Sequence, residues 1–478
     1  MYIGKSSELS RRAFVRRSAQ LAAAGAASSY GLGLAGIAES AAFGATDEYK
    51  ALVCVFLAGG NDHANTLIPY DPVNHSKYFA IRGHPDPATG QIVGFDRNQL
   101  LPTALVQDSH QVLTDDIRYA LSPWMPRLKM RFDEGRLAPV LNVGTLEAPL
   151  TKAQYENGDK ARFPRPQFLF SHNDQSSIWQ SSQPEGARTG WGGRMSDLAQ
   201  ETNQNSMFTC INLAGASVFL NGETAVPYRI TPSGPGMISG LRRNVQGSST
   251  ASRALDELIR STDPNILKTD YTDISRRSIE YGAFINDALA RSAVSTDFGS
   301  GNDLADQLSV VARLIASRNS LGVRRQVFYV TIKGFDSHSD LNAHQRLLGE
   351  VDYALDAFYR STSEMGIANQ VTLFTASDFG RTLSINGTGS DHGWGGHHFV
   401  LGGAVRGHRF YGTAPKVSLN SEDQVGRGRL LPSTSVDEYS ATLAKWFGVA
   451  ETELSSIQPN ISRFANPDLG FMSNSNLH

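Results

Sequence analysis

Hydrophobic positions in this chain follow two patterns that alternate along its length. Short continuous apolar runs occur at Ala51–Leu57, Ala138–Val143, Gln167–Phe170, Phe208–Leu213, Gln326–Ile332 and Val371–Ala376, with a further one at Phe399–Leu401. They have strand length, most are rich in β-branched or aromatic residues, and they stop at glycine or polar turn residues, so they read as buried strands. Between them the apolar spacing changes to that of a helix. Leu304, Leu308, Val311 and Ile315 line one face of Asp303–Asn319, and Leu347, Val351, Leu355 and Phe358 one face of Leu341–Phe358. A helix is predicted over Leu121–Phe132, with Ser122 as cap, Pro123 in the first turn and Gly135 as stop. Ser435 and Glu438 have capping-box spacing for a last helix that carries Leu443, Trp446 and Phe447 and closes at Gly448. Continuous apolar strands alternating with amphipathic helices predict an α/β fold: a mostly parallel sheet with helices on both faces.

Residues 83–118 and 217–300 break the alternation. They are polar, rich in Gly, Ser and Pro, and weakly periodic, so they are expected as insertions in a single domain spanning 46–467. The tail 468–478 is expected to be loose. The start of the chain is different again. Ser10-Arg11-Arg12-Ala13-Phe14-Val15 sets an arginine pair before a mildly apolar Ala/Gly/Leu/Ser stretch from Ala19 to about Ala38, and small residues follow at Ser40–Ala45. This is the make-up of a twin-arginine signal peptide over residues 1–45, and the stretch is too poor in large apolar side chains for a membrane anchor. The mature chain is then expected to be periplasmic or extracellular, to have used the twin-arginine export machinery, and to have no transmembrane span.

Composition narrows the partners. Five basic and two acidic residues leave with residues 1–45, so the formal charge moves from −2 to −5, which argues against a nucleic-acid partner. The two cysteines, Cys54 and Cys210, lie inside apolar runs and read as buried thiols in preference to the alternative, a disulfide in an exported protein.

Ligands of open α/β sheets bind beyond the carboxyl ends of the strands. There this sequence gathers acids and histidines: Gly59-Gly60-Asn61-Asp62, Ser171-His172-Asn173-Asp174, Gly334-Phe335-Asp336-Ser337-His338, Ser377-Asp378-Phe379-Gly380-Arg381-Thr382, and Asp391-His392-Gly393-Trp394-Gly395-Gly396-His397-His398 before Phe399–Leu401. Each alone has a plainer reading as a turn residue, a helix cap or a buried ring. Together they suit a shared site. Asp with neutral His favours zinc or manganese, and carboxylates alone favour magnesium or calcium. Arg381 can hold an anionic oxygen, as can His397 or His398.

The ordered motifs Gly-Gly-Asn-Asp, Gly-Phe-Asp-Ser-His, Ser-Asp-Phe-Gly-Arg-Thr and Asp-His-Gly, with Ser171-His172, Gly190-Trp191-Gly192-Gly193-Arg194 and Trp446-Phe447-Gly448, resemble the bacterial family called domain of unknown function 1501 over roughly residues 50 to 450. That family is similar to the alkaline phosphatase and sulfatase superfamily. The resemblance implies an alkaline-phosphatase-like sheet with metals at its strand ends. It implies Asp62, Asp336, His338, Asp378 and His392 as ligands of one or two divalent ions (zinc, manganese or magnesium). Phe379 stands where the superfamily usually has a metal histidine, and no Cys-x-Pro-x-Arg nucleophile motif is present. Ser171, and next Thr66, are the candidate nucleophiles by position. The resulting expectation is a metal-dependent hydrolase of phosphate or sulfate esters, with Ser171 and Arg381 as catalytic groups. The alternatives are a degenerate scaffold that binds an envelope component or assists export, and a protein whose ion is purely structural.

Overall fold

The structure is a computed structural model that describes residues 48–235, 248–260, 281–292 and 294–473. The twin-arginine segment lies outside these residues, as do 236–247 and 261–280 of the 217–300 stretch and the last five residues of the tail.

Nine strands form one sheet. They are β1 (Lys50–Ala58), β4 (Leu137–Gly144), β5 (Cys210–Asn212), β6 (Tyr228–Thr231), β7 (Gly234–Pro235), β8 (Arg325–Lys333), β9 (Val371–Ser377), β10 (Gly396–Gly402) and β11 (Thr434–Ser435), while β2 (Leu67–Pro69) and β3 (Tyr119–Leu121) pair separately. The order across the sheet is β11-β4-β10-β9-β1-β8-β5-β6-β7. β1 sits in the middle with parallel partners on both sides, Val53 opposite Phe328 of β8 and Leu373 of β9. Only β10 and β7 run against the others. The fold is therefore α/β, with a mostly parallel sheet and helices on both faces, as the alternation predicts.

Period two along β1 divides the core. Ala51, Val53, Val55 and Leu57 point into one apolar cluster, and Leu52, Cys54 and Phe56 into the other. The first cluster is covered by α2 (Pro126–Asp133), α5 (Asp303–Ala316) and α6 (Leu341–Glu364); the second by α3 (His172–Ser181), α4 (Trp191–Ala199) and α7 (Val436–Phe447). α1 (Pro72–Arg82) lies by the β2–β3 pair. Both cysteines are free and buried, and burial pushes the Cys210 thiol up to about 12. The Ser435–Glu438 capping box forms, and α7 ends on left-handed Gly448. No described helix is long and apolar enough to cross a membrane.

Two predicted elements differ. The helix expected over Leu121–Phe132 begins only at Pro126. Leu121 is taken by β3, opposite Leu67, and Ser122 closes a turn onto Met125. Of the two prolines, the second takes the first helical position, because the residue before a proline is pushed out of the helical region; Met125 sits at φ −120°, ψ 46°. The run Gln167–Phe170 is a turn rather than a strand. Phe168 and Phe170 have φ of 50° and 75°, which no strand accommodates. Phe170 finds its burial in a small cluster with Leu146, Trp394 and Leu431 instead.

Four histidines are buried as neutral rings. Burial pushes His63 and His344 down to about 4, His398 down to about 3, and His397 well below the ordinary value. His398 packs between Trp179 and Tyr439, and its Nδ1 lies 3.4 Å from Thr375 Oγ1. An unfolded histidine takes up a proton near pH 6.5 that the folded ring refuses, so each such ring withdraws stability as pH falls below 6.5. Buried Asp437 and Asp352, raised to about 7 and about 6, act in the opposite sense over part of that range. The contribution of one ring is therefore read against a variant that lacks it. His398→Phe, whatever its stability at pH 8, is expected to gain on the parent by about 1.4 kcal/mol per pH unit between pH 6.5 and 4.5. Urea midpoints of the two proteins across that range check this; parallel pH profiles would refute the neutral buried ring.

Candidate metal centre

The sheet brings the chemistry to one edge. β1, β8 and β9 end side by side, and antiparallel β10 begins where they end. The segment before β10 therefore meets the segments after the other three. Two glycines make that meeting possible. Gly59, at φ 118°, would carry a Cβ 2.3 Å from the Asp336 amide nitrogen, and Gly60, at φ 87°, one 2.5 Å from the Phe379 ring. No L side chain fits either place.

Four side chains converge there. Asp336 and His338 follow β8, His392 precedes β10, and His172 is the first residue of α3. Asp336 Oδ1 lies 3.0 Å from His338 Nε2, 3.4 Å from His392 Nε2 and 3.5 Å from His172 Nε2. His338 Nε2 and His392 Nε2 are 2.8 Å apart. Donors of a tetrahedral site with bonds of about 2.0–2.1 Å sit about 3.3–3.4 Å from one another, close to the separations of Asp336 from His392 and His172. The ligand atoms of these three residues all lie within 4.8 Å of one another, and three protein donors would leave a tetrahedral ion one open position. The far nitrogens are held by the protein. Asp378 Oδ2 accepts from His172 Nδ1 at 2.7 Å, and the Phe170 carbonyl from His392 Nδ1 at 2.7 Å. In that arrangement each ring offers its Nε2 lone pair to the centre. His172 Nε2 is buried and has no hydrogen-bond partner, the state expected of an atom meant for a cation.

Charge supports the same use. The Asp378 hydrogen bond raises His172 above its ordinary value and makes it a stronger donor; burial lowers His392 and favours its neutral ring. Burial would raise Asp336, but the Arg381 hydrogen bond with the His172 and His338 charges outweighs it and holds the carboxyl below its usual range.

The other sequence candidates occupy different places. Asp378 is behind His172 rather than among the converging atoms. Arg381 has a fully buried side chain whose donors go to Gly59 O, Ser390 O and Oγ, and Asp336 Oδ1. Its donors hold the Asp336 carboxylate and the neighbouring loops, and its side chain has no exposed surface. Ser171 Oγ donates to Asp174 at 2.8 Å, and buried Thr66 Oγ1 to the Asp62 carbonyl at 2.8 Å. His397 accepts from the Asn142 amide and packs on His63, and His398 lies inside the core. Asp62 is buried against Arg82. The converging residue that sequence reading left out of its candidate ligands is His172. Its signal, a histidine beside Ser171 after an apolar run, was present, but it belongs to a helix start and not to a strand end. Phe379 packs its ring against His172 and His392, at 4.8 and 4.7 Å between centroids, as an apolar wall.

Fold and site define an α/β protein with a cluster of two histidines and one carboxylate, His172, His392 and Asp336, flanked by His338, at the carboxyl edge of its sheet. The chain belongs to the DUF1501 family, described as a protein of unknown function, whose model matches residues 49–434. Among solved structures it is similar to the zinc complex of the C-terminal periplasmic domain of EcEptC from Escherichia coli, at 9% identity over 87% of this chain and 88% of that one, with a TM-score of 0.37. It is also similar to a structure from work on glycosaminoglycan metabolism by Bacteroides thetaiotaomicron, at 10% identity over 85% and 74%, TM-score 0.33. A third is a 2-O GAG sulfatase, at 11% identity over 84% and 71%, TM-score 0.28. No curated protein matches the chain.

If Asp378 orients His172 and is not itself a ligand, Asp378→Ala is expected to keep one ion per chain under saturating metal while weakening affinity by roughly 10- to 100-fold. Competition with a chelating dye measures this. Complete loss of binding at saturation would make Asp378 a ligand.

Proposed function

We propose that this chain is an exported metal-dependent hydrolase of phosphate or sulfate esters. The observation that carries the reading is the convergence of His172, Asp336 and His392, whose ligand atoms all lie within 4.8 Å of one another at a solvent-reaching strand edge, with His338 Nε2 beside Asp336 Oδ1 and His392 Nε2. Nitrogen with one carboxylate suits zinc first and manganese next; magnesium prefers oxygen alone. A divalent ion held there supplies Lewis acidity and lowers the pKa of water. His172 and His392 orient the site through their hydrogen bonds to Asp378 and Phe170 O. Arg381 fixes the Asp336 carboxylate, and Phe379 keeps water from the back of the two rings. Asp336 and His338 are about half exposed, at 46% and 47%, and face the side from which an ester arrives.

The twin-arginine start of the sequence supports transfer by that export machinery to the periplasm or beyond, and the acidic mature chain supports a small anionic ester or an envelope component over nucleic acid as partner. One observation favours a second reading, a scaffold that binds an envelope component without turnover: the hydroxyls of Ser171 and Thr66 are both engaged within the protein.

The test is metal content by mass spectrometry on exported protein purified without added metal, with turnover of phosphate and sulfate esters. Parent protein is expected to carry metal and turn over an ester, and His172→Ala/His392→Ala to lose both. Metal without turnover of any ester would favour the scaffold. Metal-free parent protein would sink the hydrolase.

A further inference from the structure

The family resemblance expects a metal ion at the aspartate after β1, and the surroundings of Asp62 do not fit one. Arg82, the last residue of α1, reaches in and grips both carboxylate oxygens: Nη1 to Oδ2 at 2.5 Å and Nη2 to Oδ1 at 2.9 Å. The same guanidinium donates to the carbonyls of Leu383 at 2.9 Å and Thr382 at 2.8 Å and to Asn65 Oδ1 at 2.9 Å. Tyr78 OH donates to that same Asn65 oxygen at 2.7 Å and fixes it. Both side chains are wholly buried. A carboxylate, an amide oxygen and two backbone carbonyls are the donors a hard cation takes. Here they surround an organic cation that is part of the chain. Arginine suits the position, because its planar fork matches the carboxylate and its charge persists where an ammonium would lose its own.

We propose that Arg82 is a resident cation that fills this oxygen cage permanently, so that the chain holds one ion, at His172, Asp336 and His392, and none at Asp62. This rests on the metal centre read above for the ion itself, but not for the role of Arg82. Phe379 agrees with it from a second direction. The ring packs on His172 and beside Gly60, at the sequence position where the resemblance implies a metal histidine. Two positions that a second ion needs are thus filled by side chains of this protein. The catalytic class that remains is one-ion chemistry, in which no second cation clamps the leaving oxygen.

Two measurements test this. In the first, metal per chain is counted in the parent, in Asp62→Leu/Arg82→Met and in His172→Ala/His392→Ala. The double apolar replacement removes a buried pair together, a change that proteins often tolerate, whereas removing one partner strands a buried charge. One ion, one ion and none are expected. Two ions in the parent, or a folded Asp62→Leu/Arg82→Met protein that has lost its ion, would overturn the proposal. No metal in the parent would remove the metal centre and with it the one-ion count, leaving the cage to the second measurement. That measurement uses Arg82→Ala in chelator, with and without millimolar methylguanidinium, reading thermal midpoint and yield of folded protein. A rise in either with methylguanidinium, absent in the parent and in Asp62→Leu/Arg82→Met, supports a cation cage. No rise, or the same rise in all three proteins, would overturn it.

Discussion

Four strand ends meet at one buried guanidinium. Arg381 leaves the end of β9 and donates to Gly59 O after β1, to Asp336 after β8 and to Ser390 before β10. Each of these segments is a loop tied to a neighbour by a few backbone hydrogen bonds, such as Phe335 N to Ala58 O and Gly380 N to Trp394 O, and the guanidinium joins all four. A charged group with its side chain fully out of water is costly unless all its donors are used, and here the loops supply the acceptors. The consequence is mutual. The loops fix the arginine, and the arginine fixes the register of the loops. Glycine at 59 and 60 is the condition for it, since any Cβ there would push the β8 and β9 loops away from the one after β1.

The second buried arginine works differently. Arg82 spans from α1 to Asp62 and to the carbonyls of Thr382 and Leu383, directly after the segment that Arg381 anchors. The stretch 381–383 is thus held both by the Arg381 side chain and by Arg82 on the carbonyls of Thr382 and Leu383. One faces the half-exposed Asp336 and leaves that carboxylate free to act. The other closes on a fully buried Asp62 and leaves nothing free. Buried ion pairs stabilise little on balance, because desolvation offsets attraction. What this pair provides is position: it attaches the 72–82 helix to the edge that carries the site.

The sheet was legible in the sequence because its central strands are buried on both faces. Runs such as Ala51–Leu57, and Val371–Ala376 with Thr372 and Thr375 as its only polar members, then show no alternating polar face to confuse the pattern, and the structure extends them by one or two residues at most. The capping box at Ser435 was legible because it is local. Gln167–Phe170 misled for the reverse reason: aromatic residues can also be buried from a turn with left-handed backbone, which hydrophobicity does not encode. At the site, the residue types and their places at strand ends were visible, but roles were not. Whether Asp378 meets a metal or a histidine depends on His172, 206 residues away. Whether Asp62 is available depends on a side chain from the end of α1. Neither contact has a signature along the chain.

The exposure of the four converging residues is uneven, and that bears on whether an ion here would be structural. His172 and His392 are the more buried and are each backed by a hydrogen bond of 2.7 Å; Asp336 and His338 are about half exposed. A structural site is closed on all sides by protein ligands, and a reactive one keeps a face open. His338 has the weakest hold on its far nitrogen, with Asp391 Oδ1 3.8 Å away and itself bound to Arg427 at 2.6 Å. The open face and the least restrained ligand therefore coincide. The two histidines held at their far nitrogens lie against Phe379, and the half-exposed Asp336 and His338 lie toward solvent. That asymmetry favours a centre that exchanges what it binds.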